Sequence, residues 1–146
     1  MTGRRFEIQH LEHTADVGFE VTAASLAGVF EGAARALLGV IFEGGWPAAK
    51  GERKEIELEA PELETLLVRW LDELIYRVQT LGEVPVQTRV RLEPGEAGWR
   101  LSAELEVVPF ARLANRFAGE VKAATYHGLR IEQEDGHWRA RVILDV

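Results

Sequence analysis

Two stretches of the chain repeat apolar residues at spacings of three and four, and nearly everything else alternates with period two. The first stretch runs from Leu26 to Ile41, with Leu26, Val29, Phe30, Ala33, Leu37, Val40 and Ile41 on one side. This spacing predicts an amphipathic helix, with Ser25 as its N-cap and Gly44-Gly45-Trp46-Pro47 as the loop that closes it. The second stripe is longer: Leu63, Leu66, Leu67, Trp70, Leu71, Leu74, Ile75 and Val78. Pro61 is suited to a first helical turn, Glu62 and Glu64 suit the positive end of the helix dipole, and Gly82 is a natural stop. Both stripes read as core-packing faces, which require no ligand.

The alternating segments are strands. Phe6, Ile8 and His10 face one way, with His10 expected to pack on a strand face; Val17, Phe19 and Val21 form a second segment, and Ile56 and Leu58 a third. Val86–Leu92 and Trp99–Val108 flank a turn-rich connection over residues 93–98. Val121–Glu132 and His137–Val146 flank Glu134-Asp135-Gly136, a second hairpin signal. Phe110–Phe117 reads equally as a helical turn or a loop. The order is strand, strand, helix, strand, helix, then four strands in hairpins. It predicts an α+β fold, a mostly antiparallel sheet with two main helices on one face. Strands around both helices hint at a duplicated unit. The 146 residues make a single domain, 1–146, long enough for a core of its own.

Composition narrows the function. With 17 Lys+Arg against 24 Asp+Glu the formal charge is −7, which argues against direct nucleic-acid binding. Without cysteine there is no disulfide framework, thiolate metal site or cysteine nucleophile. No apolar run reaches membrane-spanning length, and the first residues carry arginines without an apolar stretch behind them, so neither a membrane protein nor a secretory signal is expected; the expected location is cytoplasmic. Glycine-rich phosphate loops, His-Glu-x-x-His and a nucleophile elbow are missing.

Among the acids, Asp is rare: Asp16, Asp72, Asp135 and Asp145. Asp72 on the polar face of the second helix and Asp135 in a turn have structural explanations. Asp16 reads singly as a turn cap and Asp145 as a solvated strand-end acid. They gain weight only together. Two carboxylates about 4 Å apart repel by roughly 4 kcal/mol at an effective dielectric near 20. Such a pair must share a proton, recruit a cation or take a Lys or Arg between them. A hard divalent ion would accept oxygens from both acids and from Val146, with the remaining positions left to water. His13 lies near Asp16 in sequence, as a group behind such a site. Lys122 is one of only three lysines, and Tyr126-His127 reads either as surface recognition or as a strand end.

Glu12-His13-Thr14-Ala15-Asp16-Val17-Gly18, Leu71-Asp72-Glu73-Leu74-Ile75-Tyr76, Val121-Lys122-Ala123-Ala124-Thr125-Tyr126-His127-Gly128-Leu129 and Ile143-Leu144-Asp145-Val146 together resemble the archease family, in order and over nearly the whole chain. The resemblance implies a duplicated strand–helix–strand–strand module. It also implies a non-catalytic accessory protein of an RtcB-type tRNA-splicing RNA ligase, one that promotes the ligase's guanylylation and multiple turnover by helping to place a divalent metal ion (Ca, Mg or Mn). Carried over residue by residue, the metal positions are Asp16, Asp145 and the main-chain oxygen of Val146. Lys122, with His13 and His127, falls at the partner interface or beside the metal. The segment Phe110–Ala118 is less polar than is common in the family, and no role is carried over to it. Two other readings stand beside this one: a metal-dependent phosphoester hydrolase using Asp16 and Asp145, and a metal-free protein-binding module or chaperone.

Overall fold

The computed structural model describes residues 5–12, 16–44 and 50–146. Its elements are β1 (Glu7–Glu12), β2 (Asp16–Ala23), α1 (Leu26–Ile41), β3 (Glu52–Ala60), α2 (Leu63–Tyr76), a π-helical turn (Arg77–Leu81), β4 (Glu83–Gly95), β5 (Gly98–Pro109), β6 (Ala123–Glu134) and β7 (His137–Asp145). Two 3₁₀ turns, Phe110–Arg112 and Ala114–Arg116, link β5 to β6.

Local chemistry accounts for most boundaries. The Ser25 hydroxyl accepts the Gly28 N–H at 3.0 Å and caps α1. The π-turn after α2 ends at Gly82, in the left-handed conformation at φ 70°. Pro61 does not enter the first turn of α2: Glu62 is the N-cap and the helix starts at Leu63. The β6–β7 connection is the two-residue turn Asp135-Gly136 with φ 49° and 77°, the primed geometry whose twist matches antiparallel strands. The β4–β5 turn is tighter than the sequence suggests, because both strands continue up to Glu96-Ala97. His10 is exposed on β1 instead of packing inward.

The α+β class and the two main helices are as expected. The strands divide over two antiparallel sheets, ordered β1-β2-β7-β6 and β3-β5-β4. The division exposes a nested duplication. In each sheet the strand before a helix pairs with the second strand of a later hairpin, whose first strand forms the edge. The path β2-α1-β6-β7 is thus repeated by β3-α2-β4-β5, and the second copy is inserted between α1 and β6 of the first.

The copies interlock through their helices. α1 packs on β2 of its own sheet and on β4, the edge strand of the other; α2 packs on β3 and on β6. Phe30, Leu37 and Ile41 of α1 and Leu67, Trp70, Leu71 and Leu74 of α2 are fully buried in one continuous core. The Trp70 indole N–H donates to the Phe30 carbonyl at 2.9 Å, fastening helix to helix. An edge strand carries unpaired N–H and C=O groups that something must cover. Each helix covers the other copy's edge with an acid. Glu31 of α1, buried and paired at 2.6 Å with Arg5, accepts the Val90 N–H of β4 at 2.9 Å. Asp72 of α2 accepts the Ala124 N–H of β6 at 2.9 Å. Pro85, which has no N–H, is tolerated because β4 is an edge strand.

Candidate functional site

The two ends of the chain meet in the four-stranded sheet. β2 and β7 run antiparallel with Asp16 as the register partner of Asp145, and on the other side of β7 Asp145 partners Ala123 of β6. Directly opposed residues in any antiparallel pair have α-carbons about 4.5–5.5 Å apart and share a face of the sheet. Asp16 and Asp145 therefore occupy one backbone rung at the end of the sheet, and Asp145 alternates with the buried Val142 and Leu144 of β7.

The next rung inward supports this one. Gly18 partners Ile143, and a β-carbon on Gly18 would sit 2.9 Å from Ile143 Cδ1 and 3.3 Å from the Val142 carbonyl. Glycine is favoured here for space and not for its backbone, which is ordinary strand: a β-carbon would make the end of the Ile143 side chain shift. The vacancy lets Ile143 bury its side chain on a face where the neighbouring β7 residues, Arg141 and Asp145, are polar. The Thr125 hydroxyl donates to the Ile143 carbonyl at 2.9 Å.

Of the other residues singled out from the sequence, Lys122 lies immediately before β6 and is exposed; its backbone N–H donates to the Asp145 carbonyl at 2.7 Å. Its ammonium makes no ion pair among the described residues. Val146 is exposed beside Asp145. His13 lies outside the described residues. His127 and Tyr126 are exposed where β6 leaves register with β7, between Thr125 and Arg130, and Gly128 turns the chain at φ 65°. The register thus brings Asp16, Asp145, Val146 and Lys122 together, with His127 on the bulge of the adjoining strand.

The donors at this rung are carboxylate and main-chain oxygens, the hard set that suits Mg²⁺, Mn²⁺ or Ca²⁺ and not softer metals. Among the described residues no three His, Cys, Asp or Glu side chains gather around one point. The chemistry of these oxygens fits a divalent ion that keeps most of its waters.

Two further residues bear on this rung: Gln79, which the sequence did not single out, and Asp72, expected only as polar helix surface. The Gln79 carboxamide accepts the Val121 N–H and donates to the Val121 carbonyl, both at 2.8 Å. Asp72 takes the next outward-pointing N–H, at Ala124. Partial burial pushes the Asp72 carboxyl above its usual pKa, with the Ala124 N–H acting in the opposite direction. Their signal in the sequence was faint: two hydrogen-bonding side chains two helical turns apart, flanking an apolar stripe.

The model of the Archease protein family (MTH1598/TM1083) matches residues 8–146. The protein archease of Thermococcus gammatolerans is 38% identical over 98% of this chain and 99% of its own length. Among solved structures, Methanobacterium thermoautotrophicum protein 1598 is similar with a TM-score of 0.70 and 32% identity, covering 99% of this chain and all of that one (100%). A Thermotoga maritima protein, described as an archease and possible chaperone, shares the fold with a TM-score of 0.61 at 22% identity, covering 93% of this chain and 94% of that one.

Proposed function

The chain belongs to the archease family, and from that premise we propose that it is a non-catalytic accessory protein of an RtcB-type tRNA-splicing RNA ligase. It promotes the ligase's guanylylation and repeated turnover by holding a divalent ion between Asp16 and Asp145. The observation that carries this reading is the register that makes those two acids partners. Unscreened, such a pair is repulsive, and a cation turns the repulsion into attraction. Val146 contributes a main-chain oxygen. When bound, the ion supplies positive charge for phosphate oxygens during nucleotidyl transfer.

The other residues have roles that follow from their places. The exposed Lys122 ammonium, anchored through its backbone to Asp145, meets the partner's or nucleotide's anionic groups beside the ion. His13 stands behind Asp16 in sequence. His127 and Tyr126, raised on the β6 bulge, contact the partner. The net charge of −7 steers the protein towards a basic RNA-handling enzyme and away from RNA itself. Among the described residues no helix is long and apolar enough to cross a membrane, in keeping with a cytoplasmic setting.

The test is a guanylylation assay of a purified RtcB-type ligase with and without this protein. Wild type is expected to raise both the rate and the number of turnovers, and Asp145→Ala to abolish the stimulation while keeping its fold. Full stimulation by Asp145→Ala refutes the ion-placing mechanism. The exposed aromatics Tyr76, Phe117 and Tyr126 favour one second reading, a protein-binding module that works without an ion. Calorimetric titration with Mn²⁺, Mg²⁺ and Ca²⁺ separates the two.

A further inference from the structure

We propose that Asp72 and Gln79 of the α2 arm are positioning residues for the acid rung: they hold the backbone of residues 121–124 so that Lys122 stays locked onto Asp145. The inference deepens the reading above and rests on it.

The segment is held from both sides. On the inner side the Lys122 N–H reaches the Asp145 carbonyl at 2.7 Å. On the outer side Gln79 makes two hydrogen bonds to Val121, and Asp72 makes one to Ala124. These contacts bracket Lys122. The inner contacts alone are few, because Ala123, Ala124 and Thr125 are the only register pairs with β7 before the register breaks. So short a pairing is marginal on its own. Side chains of α2 and of the π-helical turn that follows it supply the second edge that a neighbouring strand would normally provide.

The chemistry at Gln79 is more specific than edge covering requires. A carboxamide has a donor and an acceptor side by side, like a peptide group, and here both meet the same residue. Val121 precedes β6, so the contact does not extend the strand; it fixes the residue next to Lys122. The other copy of the module provides the comparison. There β4 pairs with β5 along almost its whole length, so its edge does not depend on helix side chains to hold its register, although Glu31 accepts the Val90 N–H.

Groups that contact a metal ligand typically change metal affinity by about ten- to a hundredfold when removed; Asp72 and Gln79 stand one layer further out and reach Asp145 only through the backbone of residues 121–124. Gln79→Leu and Asp72→Leu are therefore expected to weaken Mn²⁺ binding by less than that, up to about tenfold, and to speed hydrogen exchange at the Lys122 amide. Asp72→Asn keeps an acceptor oxygen for Ala124 and is expected to restore both readouts. Glu31→Leu, which uncovers the equivalent edge of the other copy, is expected to lower the melting temperature while leaving Mn²⁺ affinity unchanged. If Gln79→Leu does not fold, Gln79→Glu, which retains the acceptor and loses the donor, gives the same comparison. Melting temperatures that fall in Gln79→Leu and Asp72→Leu, with Mn²⁺ affinity and Lys122 exchange left at wild-type values, overturn the proposal. Should wild type bind no Mn²⁺ and fail to stimulate the ligase, the functional reading falls; exchange at Lys122 still decides whether α2 holds this segment.

Discussion

Asp16 and Asp145 are register partners across β2 and β7, although almost the entire chain separates them in sequence. At the matching rung of the other copy, seven positions before the alanine that ends each first strand, Arg53 faces Glu106 and pairs with Glu104 and Glu55. That rung carries charges of both signs, and the Asp16–Asp145 rung carries two of the same sign. Without a cation, removing one carboxylate relieves repulsion. Asp145→Asn is thus expected to melt at or above the wild-type temperature in chelator. With free Mn²⁺ at about a hundred times its Kd, wild type gains about 2.7 kcal/mol and the order reverses. Thermal unfolding with and without Mn²⁺ checks this, and a variant that still gains the full increment rules out the rung as the ion site.

A side chain at Gly18 would press on Ile143 across the β2–β7 pair. Gly18→Val should cost about 1–3 kcal/mol through overpacking. It should also displace Asp145, two residues further along β7, and so weaken Mn²⁺ binding. Denaturant unfolding and calorimetry measure the two effects; wild-type values in both would show that Ile143 yields freely.

Trp70 ties α2 to the α1 backbone at Phe30, from a fully buried position. Trp70→Phe removes the hydrogen bond and part of the indole volume, at an expected cost of about 1–3 kcal/mol. Because this contact joins the two copies, the transition should remain single and cooperative. Separate melting of the two sheets would contradict one interlocked core.

The Asp72 carboxyl is raised above its ordinary value, principally by burial. An acid whose folded pKa exceeds its unfolded one contributes stability that is complete below the unfolded value, near 3.8, and is lost as pH rises through the folded value. Wild type should therefore lose stability relative to Asp72→Asn as pH rises across that window. A pH series of unfolding curves tests the sign, and an NMR titration of the Asp72 carboxyl tests the shift itself. A pKa at or below the ordinary value would show that the Ala124 N–H outweighs burial.

The local part of the architecture was legible in the residues. Apolar spacing and the Ser25 cap define α1 as Leu26–Ile41, Gly82 stops the second helical arm, and Asp135-Gly136 makes the primed turn. These features depend on dihedral preference and on contacts a few residues away, so a short window of sequence is enough. Asp16 and Asp145 could be suspected from the scarcity of Asp and from the family likeness. Their pairing could not be read, because register is set by strands that meet only after the chain has closed on itself.

The alternation of β2 to β7 determined which residues face inward, but not that the strands would split into two sheets or that one module would nest inside the other. Those choices belong to the tertiary structure, since each helix can bury its stripe only when both a sheet face and a foreign edge strand are in place. The same holds for Asp72 and Gln79. As helix residues they look like polar surface, and only the arrival of residues 121–124 gives their oxygens and nitrogen something to hold.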